Sequence, residues 1–101
     1  MAKTISMTIP HKLTQQEVRS RIEKGIADAQ REHAGKFSKL QHTWKDNHLD
    51  FNVGLLGQSI TGHLDVNPSD VAIHINLPWM LAAFADKIRP QIQAQADRLL
   101  S

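Results

Sequence analysis

Cysteine is absent from the 101 residues of the chain. This absence excludes a disulfide scaffold, catalysis by a thiolate, and zinc or iron–sulfur centres held by cysteine. It is compatible with a reducing cytosol, where disulfides are rare. Neither sign of charge dominates, because 12 Lys and Arg residues stand against 10 Asp and Glu residues without runs of like charge. This balance gives little support for binding to nucleic acid or to an anionic membrane.

Long apolar runs are missing as well. The longest strongly apolar stretch, 77–85, has about half of the ~20 residues that a membrane-spanning helix requires. The first residues lead into an alternating pattern and not into the apolar core of a signal peptide. Since 41% of the residues are apolar, the chain has enough apolar side chains for one modest core. We therefore expect one small cytoplasmic domain over residues 1–101, with no secretion signal and no membrane span.

Apolar periodicity predicts a strand and then a helix at the start of the chain. Residues 3–9 alternate between apolar and polar types, which is typical of a strand with one buried face. Thr14 and Glu17 have the spacing of a capping box, and apolar residues then recur at helical spacing. This pattern predicts a helix over 14–34.

A period of two continues over 39–77 and predicts a meander of four antiparallel strands. Short turns are predicted at 46–47, 56–57 and 67–70. Each turn aligns the apolar residues of neighbouring strands on one face, and a slip of one residue at any turn would destroy that alignment. The agreement of the three turns is the strongest structural evidence that the sequence offers.

The last segment, 78–100, is predicted to be a helix. Pro78 lies in its first turn, where the missing N–H costs nothing, and Pro90 predicts a bend in its middle. The fold class is therefore α+β, in the order β-α-β-β-β-β-α, with a curved antiparallel sheet carrying two helices on one face. This order looks like a reduced helix-grip fold. The core stripe of the helix is predicted to comprise Leu81, Phe84, Ile88, Ile92 and Leu99.

Several segments carry a resemblance to a known family. They are 8–13, 21–25, 60–66, the run Leu-Pro-Trp-Met-Leu-Ala at 77–82, and Lys-Ile-Arg-Pro at 87–90. These segments resemble the polyhydroxyalkanoic acid system proteins, small bacterial proteins associated with genes for polyester storage granules. The resemblance implies a cytoplasmic protein that acts at, or regulates, polyhydroxyalkanoate granules. The family provides no catalytic residues to carry over, so we predict a non-enzymatic accessory protein without a cofactor.

A second apolar strip lies beside the core stripe of the last helix and comprises Trp79, Met80 and Ala83. Trp and Met are suited to interfaces, because Trp offers a large amphipathic area and Met adapts to irregular surfaces. One interpretation is contact with the granule surface or with a granule-associated protein. The other is that Trp79 closes the open end of the sheet.

The predicted register also places an unusual group on the inner face of the sheet. His42 lies beside Phe51, and Phe51 lies opposite Gly62. Together with Phe84, these residues predict either a small cavity or a packed core with a hydrogen-bonded histidine at a bend in the sheet. The alternative function is therefore a small domain that binds an apolar or acyl ligand between the sheet and the C-terminal helix.

On the outer face the same register aligns Asp50, His63 and His74. Two imidazoles and one carboxylate can bind zinc or exchange protons. No metal-binding motif accompanies them, and an open sheet face has no walls to exclude water. A solvated or dimer-facing polar ladder is the other interpretation, and we predict no resident metal.

Two further kinds of partner follow from the pattern of charges and strands. His11 and Lys12, with the cations of the first helix, suggest a basic patch, but acidic residues interleave with those cations and no recognition motif is present. We therefore predict no direct binding to nucleic acid. An exposed edge strand can pair two chains, so a homodimer remains open.

Overall fold

A computed structural model describes residues 3–32, 35, 39–55 and 57–100 of the chain. The elements confirm the α+β class and the predicted order, except that the last helix is divided into two. Residues 33 and 34 of the predicted first helix and residue 56 of the second turn lie outside the described residues. The elements are β1 (Lys3–Pro10), α1 (Gln15–Glu32), β2 (Lys39–Lys45), β3 (His48–Leu55), β4 (Gln58–Val66), β5 (Asp70–Leu77), α2 (Trp79–Ala82) and α3 (Ala85–Leu100).

The sheet has five antiparallel strands in the order β1-β5-β4-β3-β2. The predicted registers of the meander are confirmed at all three hairpins. Lys45 pairs with His48, Phe51 with Gly62, and Val66 with Val71. Because the side-chain period of a strand is two, these pairings place the apolar residues of four strands on one face.

The position of β1 is a feature that the sequence pattern did not predict. This strand pairs with β5, with Ile5 opposite Ile75, and forms the edge of the sheet opposite β2. Helix α3 lies beside it, and Arg89 Nη2 donates a hydrogen bond of 2.7 Å to the Ser6 carbonyl. Arg89 thus provides a partner for one backbone carbonyl of this edge strand.

The core lies between the inner face of the sheet and the two long helices, α1 and α3. Helix α1 begins with the predicted capping box, in which the Glu17 amide donates to Thr14 Oγ1 at 3.1 Å. Its inward face buries Val18 and Ile22. The strands contribute most of the buried apolar residues, including Ile9, Leu49, Val71 and Leu77.

The last helix differs from its predicted form. It is interrupted at Ala83 and Phe84, where the amide of Phe84 bonds to the Leu81 carbonyl at 3.0 Å, three residues back. The chain turns more tightly there than an α-helix does. As a result Ala85 enters the core and Phe84 does not, so the predicted placement of Phe84 in the core stripe is wrong. Helix α3 is continuous through Pro90, where the expected bend stays a prediction.

Neither α1 nor the shorter helices contain a stretch that is both long enough and apolar enough to cross a membrane, as far as the described residues extend.

Candidate functional site

The most exposed apolar surface lies on the segment that follows β5. Trp79 is 68% exposed, Met80 51% and Phe84 49%, and these are the exposed large apolar side chains of the described residues. Ala83 is exposed beside them. We call Trp79, Met80, Ala83 and Phe84 the apolar patch. The interpretation of Trp79 as a plug for the sheet is wrong, because a plug would be buried.

The segment beneath the apolar patch is fixed to the core. Leu77 and Ala85 are buried, and Leu81 packs against the core between them. These three residues lie at the end of β5, in α2 and at the start of α3, and the residues of the patch between them are exposed. Met80 is also held by the sheet, since Gln58 Nε2 donates to its sulfur at 3.2 Å. The apolar patch is therefore presented by an anchored segment.

The cavity predicted at His42, Phe51, Gly62 and Phe84 does not form as expected. A Cβ atom built at Gly62 lies 2.5 Å from Phe51 Cζ, so the Phe51 ring already occupies the space beside the glycine. Phe84 lies in the apolar patch. Of the four residues, only His42 and Phe51 line a common cleft.

That cleft is open, has a volume of about 790 Å³, and lies between the sheet, α1 and the end of α3. Its floor is the inner face of the central strands and of β2. Its walls come from α1 and from the last two turns of α3. Apolar side chains dominate the lining, among them Ile26, Leu40, Phe51, Val53, Leu64 and Leu99.

Glu23 organises the outer end of this region, a role that the sequence analysis missed. Its Oε1 lies 3.2 Å from His42 Nε2 and also accepts a hydrogen bond from the Trp44 indole N–H. The Arg19 guanidinium lies over the Trp44 ring, 4.8 Å from its centroid. The sequence contained one signal for this role. Arg19 and Glu23 are four residues apart, so they lie on the same side of α1.

The outer face of the sheet carries a row of polar side chains across all five strands. Asp50 lies opposite His63, and His63 lies opposite His74, as predicted. The rings of His63 and His74 are 4.7 Å apart at their centroids. The complete row is Thr43, Asp50, His63, His74 and Ser6.

The partners within this row differ from those of a metal site. Asp50 Oδ1 lies 3.2 Å from His48 Nε2, and His74 Nδ1 lies 2.9 Å from Ser6 Oγ. Throughout the ranges that the structure describes, no three His, Asp or Glu side chains are grouped so that they could hold a metal ion. Asp50, His63 and His74 are therefore neighbours in a ladder of polar side chains, in which Asp50 contacts His48, His63 stacks against His48 and His74, and His74 contacts Ser6.

The surroundings of His48 change the pKa of its imidazole. The side chain is 38% exposed, and its Nδ1 lies 2.6 Å from Asp65 Oδ1. The hydrogen bond to Asp65 is the largest effect and raises the pKa of His48 above the ordinary value. Desolvation opposes it, and the weaker hydrogen bond to Asp50 raises the pKa further. The positively charged form of His48 is thus favoured in the folded protein.

We expect Asp65→Asn to lower the pKa of His48 more than Asp50→Asn does, because the hydrogen bond to Asp65 is the larger cause. A raised pKa in the folded state stabilises the fold fully below the unfolded value of about 6.5, and this contribution disappears as the pH rises through the folded pKa. NMR titration of the histidine ring in the three proteins measures the effect. Equal shifts in the two variants would contradict the assignment.

Comparison with known proteins agrees with the resemblance seen in the sequence. No curated protein and no solved structure matches the chain significantly. One family model, described as putative polyhydroxyalkanoic acid system protein, matches residues 5–100. That match includes the whole sheet from Ile5 onward, both long helices, and the segment that presents the apolar patch. The chain therefore belongs to the polyhydroxyalkanoic acid system protein family.

Proposed function

We propose that the protein is a cytoplasmic, non-enzymatic accessory protein of the polyhydroxyalkanoate system, which binds the granule surface through the apolar patch. The observation that carries this proposal is the exposure of Trp79, Met80 and Phe84 on one anchored segment. Exposed apolar side chains that are contiguous mark interaction sites, whereas single ones are ordinary. Membership in the family supports the choice of the granule as the site of action.

The chemistry of the patch suits a polyester surface. A polymer of hydroxyalkanoic acids presents alkyl groups and ester carbonyls, which accept hydrogen bonds and carry no charge. Met80 and Phe84 offer apolar contact area, and Trp79 adds an indole N–H that can donate to an ester carbonyl. An exposed charge in the patch would lose its water on contact with such a surface, at a high cost in free energy.

The test is sedimentation of the purified protein with washed granules, both native and stripped of protein. We expect binding to both preparations, and we expect Trp79→Glu to weaken it at least tenfold. Burial of a large apolar side chain contributes roughly 1.5–3 kcal/mol, which corresponds to about a factor of ten or more in affinity. The variant should remain folded, since Trp79 is mostly exposed.

Gln93→Glu is the matched control, because it adds the same charge at an exposed position of α3 outside the patch. It should bind as the unaltered protein does. Binding restricted to native granules would assign the patch to a granule protein and overturn the choice of the polymer surface. Equal binding of Trp79→Glu and the unaltered protein would overturn the role of the patch itself, provided that circular dichroism shows both to be folded.

A further inference from the structure

The apolar cleft beneath the helices is separate from the apolar patch. Trp79, Met80 and Phe84 contribute nothing to its lining. Its volume of about 790 Å³ falls in the range of sites that hold small molecules. We propose that this cleft binds the alkyl chain of a small amphiphile with an uncharged head group, such as an alkyl alcohol or an alkyl ester.

The floor of the cleft indicates the alkyl chain. Its side chains are aliphatic except for Phe51 and His42, so it offers no pair of aromatic faces between which a planar ring would stack. Leu40, Val53 and Leu64 lie on the core face of the sheet but are only partly buried. An alkyl chain on this floor would remove their exposed apolar surface from water, which is favourable in proportion to the area removed.

The rim of the cleft indicates a head group without charge. Asp28 is paired with Arg31 through an Oδ1–Nη2 distance of 2.7 Å. The other acidic and basic residues that line the cleft, Glu32 and Arg98, have opposite signs. The rim therefore favours neither an anion nor a cation. Gln95 lies among these residues, and its amide can both donate to and accept from a hydroxyl or an ester.

The walls can be altered without disturbing the floor. Ala29 on α1 and Ala96 on α3 line the cleft, and both are small side chains on helices. A phenylalanine at either position would occupy the space that the ligand needs. Ala27 and Ala94 lie two residues away on the same helices, are exposed, and do not line the cleft. They provide matched positions for the same substitution.

The first experiment titrates the full chain with a series of 1-alkanols, from hexanol to decanol, and records the methyl NMR signals of Ile, Leu and Val. We expect saturable shifts at residues of the cleft, with affinity rising about fourfold for each added methylene group. Decanoate and decylammonium should each bind at least tenfold more weakly than decanol. The assignment of the binding site to the cleft would be overturned if affinity did not depend on chain length. It would also be overturned if the only signals that shift came from residues outside the cleft. If either charged analogue bound as tightly as decanol or more tightly, the preference for an uncharged head group would be overturned.

The second experiment repeats the decanol titration with substituted proteins. Ala29→Phe and Ala96→Phe are each expected to weaken binding at least tenfold, while Ala27→Phe and Ala94→Phe leave it unchanged. Circular dichroism identifies any variant that has unfolded, and the two helices give independent tests of the same cleft. Unchanged binding in folded Ala29→Phe and Ala96→Phe would overturn the proposal.

Trp79→Glu separates this inference from the function proposed for the patch. That variant should lose granule binding and keep decanol binding, because Trp79 does not line the cleft. Loss of decanol binding in folded Trp79→Glu would place the alkyl site on the patch and overturn its assignment to the cleft.

Discussion

Replacing Gly62 with alanine is expected to lower the free energy of unfolding by about 2–3 kcal/mol, the cost of overpacking a filled interior. The added Cβ would lie 2.5 Å from the His74 carbonyl oxygen and 2.5 Å from Phe51 Cζ. Both distances are far shorter than a normal contact between heavy atoms. The glycine is required here because two strands and an aromatic ring meet at its Cα.

The two clashes differ in how easily they are relieved. Phe51 can rotate its ring, at the cost of leaving its place over the glycine. The His74 carbonyl belongs to the backbone of β5, which pairs with β1 and with β4, so it cannot move alone. We therefore expect Phe51→Leu to recover only part of the stability lost in Gly62→Ala, with a favourable coupling between the two substitutions in a double-mutant cycle.

Urea unfolding followed by circular dichroism measures these differences. Gly35→Ala is the control, because no atom of the residues that the structure describes lies within 4 Å of the Cβ position at this exposed glycine. Its stability should change by less than about 0.5 kcal/mol, as for most surface substitutions. If Gly62→Ala unfolded at the same urea concentration as the unaltered protein, the close approach at Gly62 would be disproved.

The sequence predicted the position of Phe51 opposite Gly62, but it did not predict that the Phe51 ring fills the space beside the glycine. Alternation along strands, together with turn lengths, determines which residues face each other across the meander. It does not determine the rotamer of an aromatic side chain. The ring turns toward the glycine and fills the expected void, while the open volume lies farther along the floor, toward α1 and α3. The size and position of a cavity depend on how the helices are spaced above the sheet. The periodicity of apolar residues gives no information on that spacing.

The last helix illustrates a second limit. Helical spacing allows either Phe84 or Ala85 to follow Leu81 on the inward face, because both i+3 and i+4 positions lie on the same side of a helix. Hydrophobicity favours Phe84 at the inward position, but in the structure Ala85 is the buried residue. The helix is interrupted at Ala83 and Phe84, between Leu81 and Ala85, and periodicity alone does not predict such an interruption. The same interruption exposes Phe84 and extends the apolar patch beyond the strip that the sequence predicted.

The position of β1 shows a third limit. Its alternation predicts a strand with one buried face, and this is confirmed. Its neighbour in the sheet is β5, the strand most distant from it along the chain. Hairpins are local and their registers follow from short turns, whereas β1 and β5 are separated along the chain by α1, β2, β3 and β4. Local patterns contain no information on that long-range choice.

His11 is only 8% exposed, so it does not contribute to the surface basic patch that the sequence suggested. The Leu13 amide donates to its Nδ1 at 3.1 Å, so the ring proton lies on Nε2. That nitrogen lies 3.0 Å from the Asn67 carbonyl oxygen and donates to it. The imidazole therefore connects the start of α1 to the loop between β4 and β5.

We expect His11→Leu to lower the free energy of unfolding by about 2 kcal/mol. The leucine replaces the apolar volume but removes the hydrogen bonds to the Leu13 amide and the Asn67 carbonyl, which are both partly buried. Each such bond contributes about 0.5–1.5 kcal/mol. His11→Asn keeps an acceptor near the position of Nδ1, and His11→Gln places a donor near that of Nε2. Each should therefore recover part of the loss.

Urea unfolding ranks these proteins, and hydrogen exchange at the Leu13 amide reports its own bond. Lys12→Leu is the matched control, since it introduces the same side chain at an exposed neighbour and should change stability by less than about 0.5 kcal/mol. We expect the Leu13 amide to exchange faster in His11→Leu than in the unaltered protein. Return to slow exchange in His11→Asn, but not in His11→Gln, would identify Nδ1 as the acceptor. If His11→Leu instead matched the unaltered protein in stability, the two hydrogen bonds of the imidazole would be shown not to stabilise the fold.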